Sequence, residues 1–246
     1  MRCFVIVAIV CAASPVVAKP KGTSKAKPVE KTDKSRFEAP ADATATAAYR
    51  YGSMSRPDCE AELGRRNIAF EAESAKGVLA PVRLTGRLHG VAFHTDDKSA
   101  SRSKYEIGDC RLILAMDDLA AVLAQRGIVE VVHYSMYRPP DKGWPADKIG
   151  TRHNGALALD AARFVDKDGH ALDVLKDFHG AIGAKTCGPG AGPSPVTENA
   201  TKIRELLCEI VGMHLFNVVL TPNYNRPHRN HFHLEVTQGV KWFLVH

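Results

Sequence analysis

The sequence of 246 residues contains no apolar run long enough to cross a membrane as a helix. Its longest uninterrupted run, Cys3–Ala13, has about eleven residues, whereas the core of a bilayer requires about twenty. There is no internal repeat and no strongly biased composition, since 45% of the residues are hydrophobic and 24% are charged. These absences argue against stable membrane insertion and exclude the collagen-like, low-complexity and fully disordered classes. The interpretation that remains is one globular domain with a sizeable core.

The first eighteen residues are typical of a secretory signal peptide. Arg2 provides a positive start, the apolar run follows, and Val16–Ala18 supplies small residues before a cleavage site. We therefore predict cleavage near Ala18 and a periplasmic or secreted protein. Cleavage removes two of the six cysteines and leaves Cys59, Cys110, Cys187 and Cys208. With no CxxC pair among them, four thiols in an oxidising compartment predict two disulfides, and the spacing leaves their connectivity open.

The predicted signal peptide, residues 1–18, is followed by a basic segment that we interpret as a disordered linker over residues 19–55. Lys, Pro, Ala, Ser and Thr dominate it to about Ala48, and without apolar periodicity it cannot bury a core. The folded domain is then expected over residues 56–246. The excess charge behind the formal net value of +6 is concentrated in the linker, and the folded part shows no nucleic-acid-binding motif. A nucleic-acid partner is therefore not predicted.

Helical and strand patterns mix along the domain without the regular alternation of a doubly wound sheet, which favours an α+β fold. Asp117–Gly127 has apolar residues at helical spacing, and Thr197–Met213 repeats that pattern with Thr197 in the position of an N-cap. Ile128–Tyr134 is rich in β-branched residues and predicts a strand, and Phe216–Leu220 predicts a second, short strand.

The residues that carry chemistry lie in two short segments. In the later one, His231, His233 and Glu235 alternate with apolar residues, as in a strand with one polar face, so two imidazoles point the same way. In the earlier one, an extended chain would place His153 and Asp160 about 23 Å apart, so a metal ion shared between them requires a bend. The intervening glycine, at position 155, is where a bend is least costly.

Two imidazoles and one carboxylate form a ligand set that suits Zn²⁺. Three protein ligands leave a fourth position for water, the arrangement of catalytic rather than structural zinc. Such a water, with its pKa lowered, can attack a carbonyl whose oxygen the metal polarises. An HxH pair alone is more often a surface strand pair or a satisfied polar cluster, so the prediction depends on both segments together.

The combination of His153-x6-Asp160 with His231-x-His233 resembles the signature of a zinc metallopeptidase superfamily. That superfamily contains lysostaphin-type enzymes, D-alanyl-D-alanine carboxypeptidases and dipeptidases, and the hedgehog signalling domain. Within it, the chain from about residue 59 onward is most similar to bacterial extensin-like C-terminal domain proteins, most strongly from Ser135. The resemblance implies an α+β fold whose central, mainly antiparallel sheet carries the zinc site and is flanked by helices. It also implies that His153, Asp160 and His233 are the zinc ligands.

The resemblance makes His231 the candidate general base. The triplet His228-x2-His231-x-His233 is similar to that of the penicillin-insensitive murein endopeptidases, where the middle histidine sits beside the zinc water. An imidazole also titrates near neutral pH. Dipeptidase and carboxypeptidase relatives carry an acidic base three residues before the last ligand, and here that residue is Asn230, which cannot accept a proton. Either His231 takes that role or the site is non-catalytic, as in the signalling relatives.

Three further residues take roles from the resemblance. Arg138, in the sequence Ser135-x-Tyr137-Arg138, resembles an arginine that holds substrate carbonyl or carboxylate oxygens, a task that its fork of donors suits. The alternative for Arg138 is a solvated charge at a strand end. His228 and Glu235 are candidates for orienting the metal-binding imidazoles, and their alternative is plain polar surface.

The similarity also bears on the cysteines. Met136 stands where many extensin-like members carry a cysteine. Its presence leaves Cys187 to pair with Cys208, and Cys59 to pair with Cys110.

The function that the resemblance implies is an exported, zinc-dependent hydrolase that cleaves an amide bond in peptidoglycan peptides. It would be of the murein endopeptidase or carboxypeptidase type, with peptidoglycan or its peptide fragments as partner. The alternative is a non-catalytic, zinc-stabilised module that binds the cell wall or another partner. Asn230 and the basic linker favour that alternative.

Overall fold

The structure is a computed structural model that describes residues 37–38, 40–96 and 102–246. The predicted signal peptide, residues 1–18, lies outside the described residues, as does the predicted linker up to residue 36. The described residues all belong to one unit, Lys34–His246. Among them, no helix has the length and apolar character needed to cross a membrane.

The described residues form eleven strands and five α-helices, joined by loops and short 3-10 turns. The strands are β1 (Phe37–Glu38), β2 (Phe70–Ala72), β3 (Pro81–Leu84), β4 (Ala92–Thr95), β5 (Ile107–Asp109), β6 (Ile128–His133), β7 (Ala158–Asp166), β8 (Ala171–Asp173), β9 (Val218–Leu220), β10 (Phe232–Glu235) and β11 (Phe243–Val245). The helices are α1 (Ala47–Gly52), α2 (Arg56–Arg65), α3 (Cys110–Gln125), α4 (Val174–Asp177) and α5 (Glu198–Gly212). The predicted α+β class is confirmed.

Eight strands form the central sheet in the order β1-β11-β9-β10-β7-β6-β4, with β8 added beside β7. The β4–β6 and β9–β11 pairs are parallel and the other pairs in this sheet are antiparallel, so the sheet is mainly antiparallel, as the resemblance implied. On β7, Leu159 and Ala161 belong to the hydrophobic core, and strand alternation directs Asp160 to the opposite face. A smaller antiparallel sheet has the order β2-β3-β5.

Helix α3 is central to the core and is longer than the sequence indicated. Its side chains are buried on nearly every face, as expected for a helix that is mostly apolar all round. The sequence indicated a start at Asp117, but the helix begins at Cys110, with Asp109 as the N-cap that accepts from the backbone N–H of Arg111. Asp117 is tolerated within the helix because a guanidinium nitrogen of Arg66 lies 2.9 Å from its carboxylate.

The other predicted elements are confirmed, with small shifts at their ends. Helix α5 begins where predicted, since the Thr197 hydroxyl accepts from the backbone N–H of Ala200 at 3.1 Å. Strands β6 and β9 occupy most of the segments predicted as strands. The buried apolar stripe of α5 consists of Ile203, Leu206, Leu207 and Ile210.

The folded part extends further toward the N-terminus than the predicted boundary at residue 56. Helix α1 lies inside the segment interpreted as linker, and β1 pairs with β11. The Thr46 hydroxyl caps α1, and the helix buries Ala47, Ala48 and Tyr51. The phenol of Tyr51 contacts Asp118 on α3. Two alanines and one tyrosine gave no clear period in the sequence, but they are enough to dock a short helix on α3.

All four cysteines that follow the predicted signal peptide are in disulfides, so the prediction of two bridges is confirmed. Cys59 on α2 is joined to Cys110 at the start of α3, and Cys187 in the loop before α5 is joined to Cys208 within α5. These are the pairs that the resemblance implied. The first bridge holds α2 against the core helix, and the second holds the glycine- and proline-rich loop against α5.

Candidate metal centre

Three buried side chains each bring one potential ligand atom to a common point. Nε2 of His153, Oδ1 of Asp160 and Nδ1 of His233 lie 3.1 to 3.2 Å from one another. In a tetrahedral zinc site with bonds of about 2.0 to 2.1 Å, neighbouring ligand atoms are about 3.3 Å apart, so the triangle is close to the size of such a site. The structure thus brings together the three residues that the resemblance implied as ligands.

The register of the central sheet places two of these ligands. His233 on β10 lies directly opposite Asp160 on β7 in an antiparallel pair. Side chains of directly opposed residues share a face of the sheet and have Cβ atoms about 5 Å apart, so both reach the same point in space. A shift of the register by one residue would send one of them to the other face.

A 3-10 turn before β7 brings in His153, and it bends differently from the prediction. The left-handed backbone angles are at Arg152, with φ of 49°, and at Ala156, with φ of 53°, and not at Gly155. Gly155 is needed for a different reason, since a Cβ there would lie 2.4 Å from backbone atoms of Gly150. The bend predicted between the two ligands is present, but the glycine permits close packing of two chain segments instead of the turn itself.

The outer nitrogens of both imidazoles face groups that accept hydrogen bonds. Nδ1 of His153 lies 3.0 Å from the carbonyl oxygen of Met136, and Nε2 of His233 lies 2.9 Å from Oε2 of Glu235. Because a carbonyl and a carboxylate only accept, each outer nitrogen carries the hydrogen and each inner nitrogen presents a lone pair. When both rings are neutral, two lone pairs and a carboxylate oxygen of Asp160 therefore converge. This convergence makes the three residues a candidate cation site.

Contacts within the centre shift the pKa values of both Asp160 and His233. Burial would raise the pKa of the Asp160 carboxyl, but hydrogen bonds to His153 and His233 hold that pKa well below its usual range. Burial would lower the pKa of His233, but hydrogen bonds to Asp160 and Glu235 outweigh it and raise the pKa to about 9. With no cation bound, His233 is therefore protonated at neutral pH, and a cation held by Nδ1 would have to displace that proton.

Glu235 and His228 stand differently toward the triangle. Glu235 is buried, contacts the ligand His233, and receives a hydrogen bond from the Thr237 hydroxyl at 2.9 Å. Burial would raise the pKa of Glu235, but its hydrogen bond with His233 lowers it, so the carboxylate stays ionised. Nδ1 of His228 lies 2.7 Å from Oδ1 of Asn225, and the His228 ring centre lies 5.8 Å from that of His233. Glu235 thus contacts the candidate ligand His233 through a hydrogen bond, whereas His228 packs beside that ring.

His231 lies beside the triangle and not in it. Its Nε2 is 3.4 Å from Oδ1 of Asp160, the carboxylate oxygen that also contacts His153 and His233. Burial, followed by the charges of His233 and Arg138, lowers the pKa of His231 to about 4 despite the opposing effect of Asp160. The His231 ring is therefore neutral at neutral pH, and its Nε2 is directed toward the centre.

Arg138 holds the oxygen of Asp160 that does not face the imidazoles. Its Nη2 contacts Oδ2 of Asp160, and its Nε donates to the Ser135 hydroxyl at 2.9 Å. The guanidinium therefore leaves Oδ1 as the oxygen available to a metal. Half of the Arg138 side chain is exposed, and this half borders a groove. It is an ion-paired residue of the centre, not a solvated charge at a strand end.

A groove of about 610 Å³ opens beside the centre at Ser135 and Arg138. Its walls include the exposed rings of Tyr105 and Tyr134. The charged residues that line it are Lys104, Arg138, Asp141 and Lys142. Cations outnumber anions among these residues, so the groove suits an anionic ligand.

Two contacts of the centre left no signal in the sequence. The carbonyl of Met136 is a backbone group and would act there whatever the side chain. Tyr134 was predicted only as the end of a strand, yet it stands beside His231 with ring centres 5.7 Å apart. Its place directly before the Ser135 motif is the one feature that could have drawn attention to it.

A second His/Asp cluster lies in the hairpin between β7 and β8. Asp166, Asp168 and His170 come close together there, but Asp168 and His170 are exposed and Asp166 accepts the backbone N–H groups of both. These hydrogen bonds are those of an ordinary turn, so the cluster is explained by the hairpin.

The fold and the site define an α+β domain with a candidate cation-binding centre on one face of its main sheet. Residues 58–244 match the family described as extensin-like protein C-terminus, and the chain belongs to that family. No curated protein and no solved structure matches the chain significantly.

Proposed function

We propose that this protein is an exported, zinc-dependent hydrolase of the metallopeptidase superfamily to which its motifs are similar, cleaving an amide bond in peptidoglycan peptides. The observation that carries the proposal is the convergence of two imidazole nitrogens and one carboxylate oxygen within 3.2 Å of one another. Three ligands from protein leave one position for water, as in catalytic zinc sites.

His153, Asp160 and His233 would hold the ion. Zinc bound there supplies a water of lowered pKa and polarises a substrate carbonyl. His231 accepts the proton at Nε2, because this nitrogen lies beside the centre and the ring is neutral. Arg138 keeps Asp160 in position, and its exposed donors face the bound substrate.

The groove supports peptidoglycan peptides as the substrate class. It offers cations for the carboxylates that such peptides carry, and the faces of Tyr105 and Tyr134 for their apolar parts. The two disulfides are consistent with an oxidising, extracytoplasmic location, where that substrate is found.

The second candidate function is a zinc-stabilised module that binds the wall without turnover. The observation in its favour is Asn230, whose amide stands where an acidic base is expected and cannot take up a proton.

Incubation of the zinc-loaded mature protein with isolated sacculi distinguishes the two functions. An enzyme should release peptide fragments that mass spectrometry identifies. His231→Ala should keep its zinc, because all three ligands remain, and should lose activity by about 10²- to 10⁴-fold. His170→Ala, which removes an exposed histidine from the β7–β8 hairpin, is the matched control and should retain activity.

The binding module is supported instead by wild-type protein that binds zinc and wall material yet releases no fragment at any pH tried. In that case His231→Ala should bind the wall as well as the wild type does.

A further inference from the structure

The residue before the candidate base contacts it directly. Oδ1 of Asn230 lies 3.0 Å from Nδ1 of His231, and Nδ2 of Asn230 donates to the hydroxyl of Tyr134 at 3.0 Å. We infer that Asn230, held by Tyr134, is a positioning residue that sets the tautomer of the His231 imidazole. The role of this tautomer in catalysis rests on the proposed function.

The hydrogen bond from the ring determines where its hydrogen lies. An amide oxygen can only accept, so Nδ1 of His231 carries the hydrogen and Nε2 presents a lone pair. That nitrogen is the one 3.4 Å from Oδ1 of Asp160, on the side of the triangle. A general base needs its lone pair, and not its hydrogen, directed toward the reacting water.

Tyr134 bears on this tautomer because an amide can present either of two ends to an imidazole, and the contact with Tyr134 accompanies the orientation seen here. If the NH₂ group of Asn230 faced His231, the ring would need its lone pair at Nδ1 and would carry its hydrogen at Nε2, toward Asp160. This wrong tautomer is what an asparagine in place of an aspartate produces in serine proteases. In the structure the NH₂ group of Asn230 donates to the Tyr134 hydroxyl, and the amide oxygen faces the His231 ring.

At the position where relatives carry an acidic base, this chain therefore has an amide that accepts a hydrogen bond from the base and orients it. The relatives that carry an acidic residue at this position use it to hold a proton, whereas in this chain the base is His231 and the neighbouring amide orients it. The arrangement is a base directed by a third group, as in other hydrolases that pair a histidine with a carboxylate or an amide. The change from acid to amide then no longer favours a non-catalytic site.

The experiment compares four variants of the zinc-loaded mature protein: Asn230→Ala, Asn230→Asp, Tyr134→Phe and Tyr49→Phe. The measurements are zinc stoichiometry, kcat and KM on soluble peptidoglycan peptides, and the ¹⁵N shifts of the His231 ring. Tyr49→Phe removes a hydroxyl from α1 and is the matched control for Tyr134→Phe.

All four variants should bind one zinc. Asn230→Ala should lower kcat by about 10- to 100-fold with KM within about twofold, the usual effect of losing a group that orients a functional imidazole. Tyr134→Phe should lower kcat by about tenfold. Asn230→Asp retains an acceptor and should retain activity, and Tyr49→Phe should match the wild type.

The ¹⁵N shifts test the inference without any need for activity. Wild type and Asn230→Asp should show His231 with its hydrogen on Nδ1, whereas Asn230→Ala and Tyr134→Phe should shift the ring toward hydrogen on Nε2. A wild-type ring with its hydrogen on Nε2, or an unchanged ring in Asn230→Ala, overturns the inference. If the wild type shows the Nδ1 hydrogen but cleaves nothing, the positioning stands and the proposed function fails.

Discussion

Asp160 and His233 face each other across strands β7 and β10, and Oδ1 of the aspartate lies 3.1 Å from Nδ1 of the histidine. The sheet register alone brings these two ligands together, so the centre is as rigid as the middle of the sheet. The third ligand, His153, comes from a turn whose position depends on a contact between two glycines. Substitutions near the turn should therefore displace His153 without displacing Asp160 and His233, which the sheet holds.

Removal of any one member of the triangle should abolish stoichiometric zinc binding. His153→Ala, Asp160→Ala and His233→Ala each remove one of three protein donors, and the remaining two hold zinc weakly. Elemental analysis of protein prepared without chelators measures the zinc content, and His170→Ala should match the wild type. Zinc-free wild-type protein would remove the basis of the proposed mechanism.

Glu235→Gln should weaken zinc binding without abolishing it. The carboxylate fixes the hydrogen of His233 on Nε2 and makes its Nδ1 more basic, and loss of such a partner reduces metal affinity by about 10- to 100-fold. Competition with a chelator of known affinity gives the ratio. The matched control is Glu209→Gln, which removes an exposed carboxylate paired with Arg126. Equal affinities for Glu235→Gln and wild type would contradict the orienting role.

Gly155→Ala should destabilise the protein and weaken zinc binding. The added Cβ would lie 2.4 Å from backbone atoms of Gly150, and backbone cannot move aside cheaply, so we expect a loss of about 1–3 kcal/mol or more. Thermal unfolding measures the effect. Gly64→Ala is the control, because nothing lies within 4 Å of the new Cβ on α2, and it should gain about 0.5 kcal/mol. A Gly155→Ala variant as stable as the wild type would refute the close-packing role.

The disulfides should contribute unequally to stability. They span 51 and 21 residues, which correspond to about 4 and 3 kcal/mol in the chain-entropy account. Replacing both members of one bridge with alanine and measuring unfolding in denaturant tests this order, with the Cys59–Cys110 pair costing more. Peptide mapping under non-reducing conditions should recover the same two pairs from exported wild-type protein.

Alkaline pH should destabilise the contact between α1 and α3. Burial, followed by the hydrogen bond to Asp118, raises the pKa of Tyr51 to about 12 from 10.0. The folded state therefore holds a proton that the unfolded state releases, so this contribution is complete below pH 10 and is lost as pH rises toward 12. Unfolding measured from pH 9 to 11 should show a shallower decline in Tyr51→Phe than in the wild type or Tyr49→Phe. Identical slopes would contradict the shift.

Several features of the fold and site could be predicted because they reside in local patterns. The period of α5 and its Thr197 cap, the β-branched run of β6, and the alternation of His231, His233 and Glu235 are all local. The sequence also contained the identity of the three candidate ligands, since their residue types and spacing suit one ion. The start of α3 was misplaced because Asp117 resembles a helix start, and only its distant partner Arg66 makes it acceptable in mid-helix.

The sequence by itself determined which side chains can bind a metal and which cysteines are available to pair. Only the tertiary structure decided how those side chains are used. The outer nitrogens of His153 and His233 donate hydrogen bonds to the Met136 carbonyl and the Glu235 carboxylate, so in the neutral rings the lone pairs point inward. The bend before β7 falls on residues that favour no left-handed conformation, and Gly155 serves packing. Hydrogen-bond direction and close approach depend on atoms distant in the chain, including backbone atoms that every residue shares, and so local sequence does not encode them.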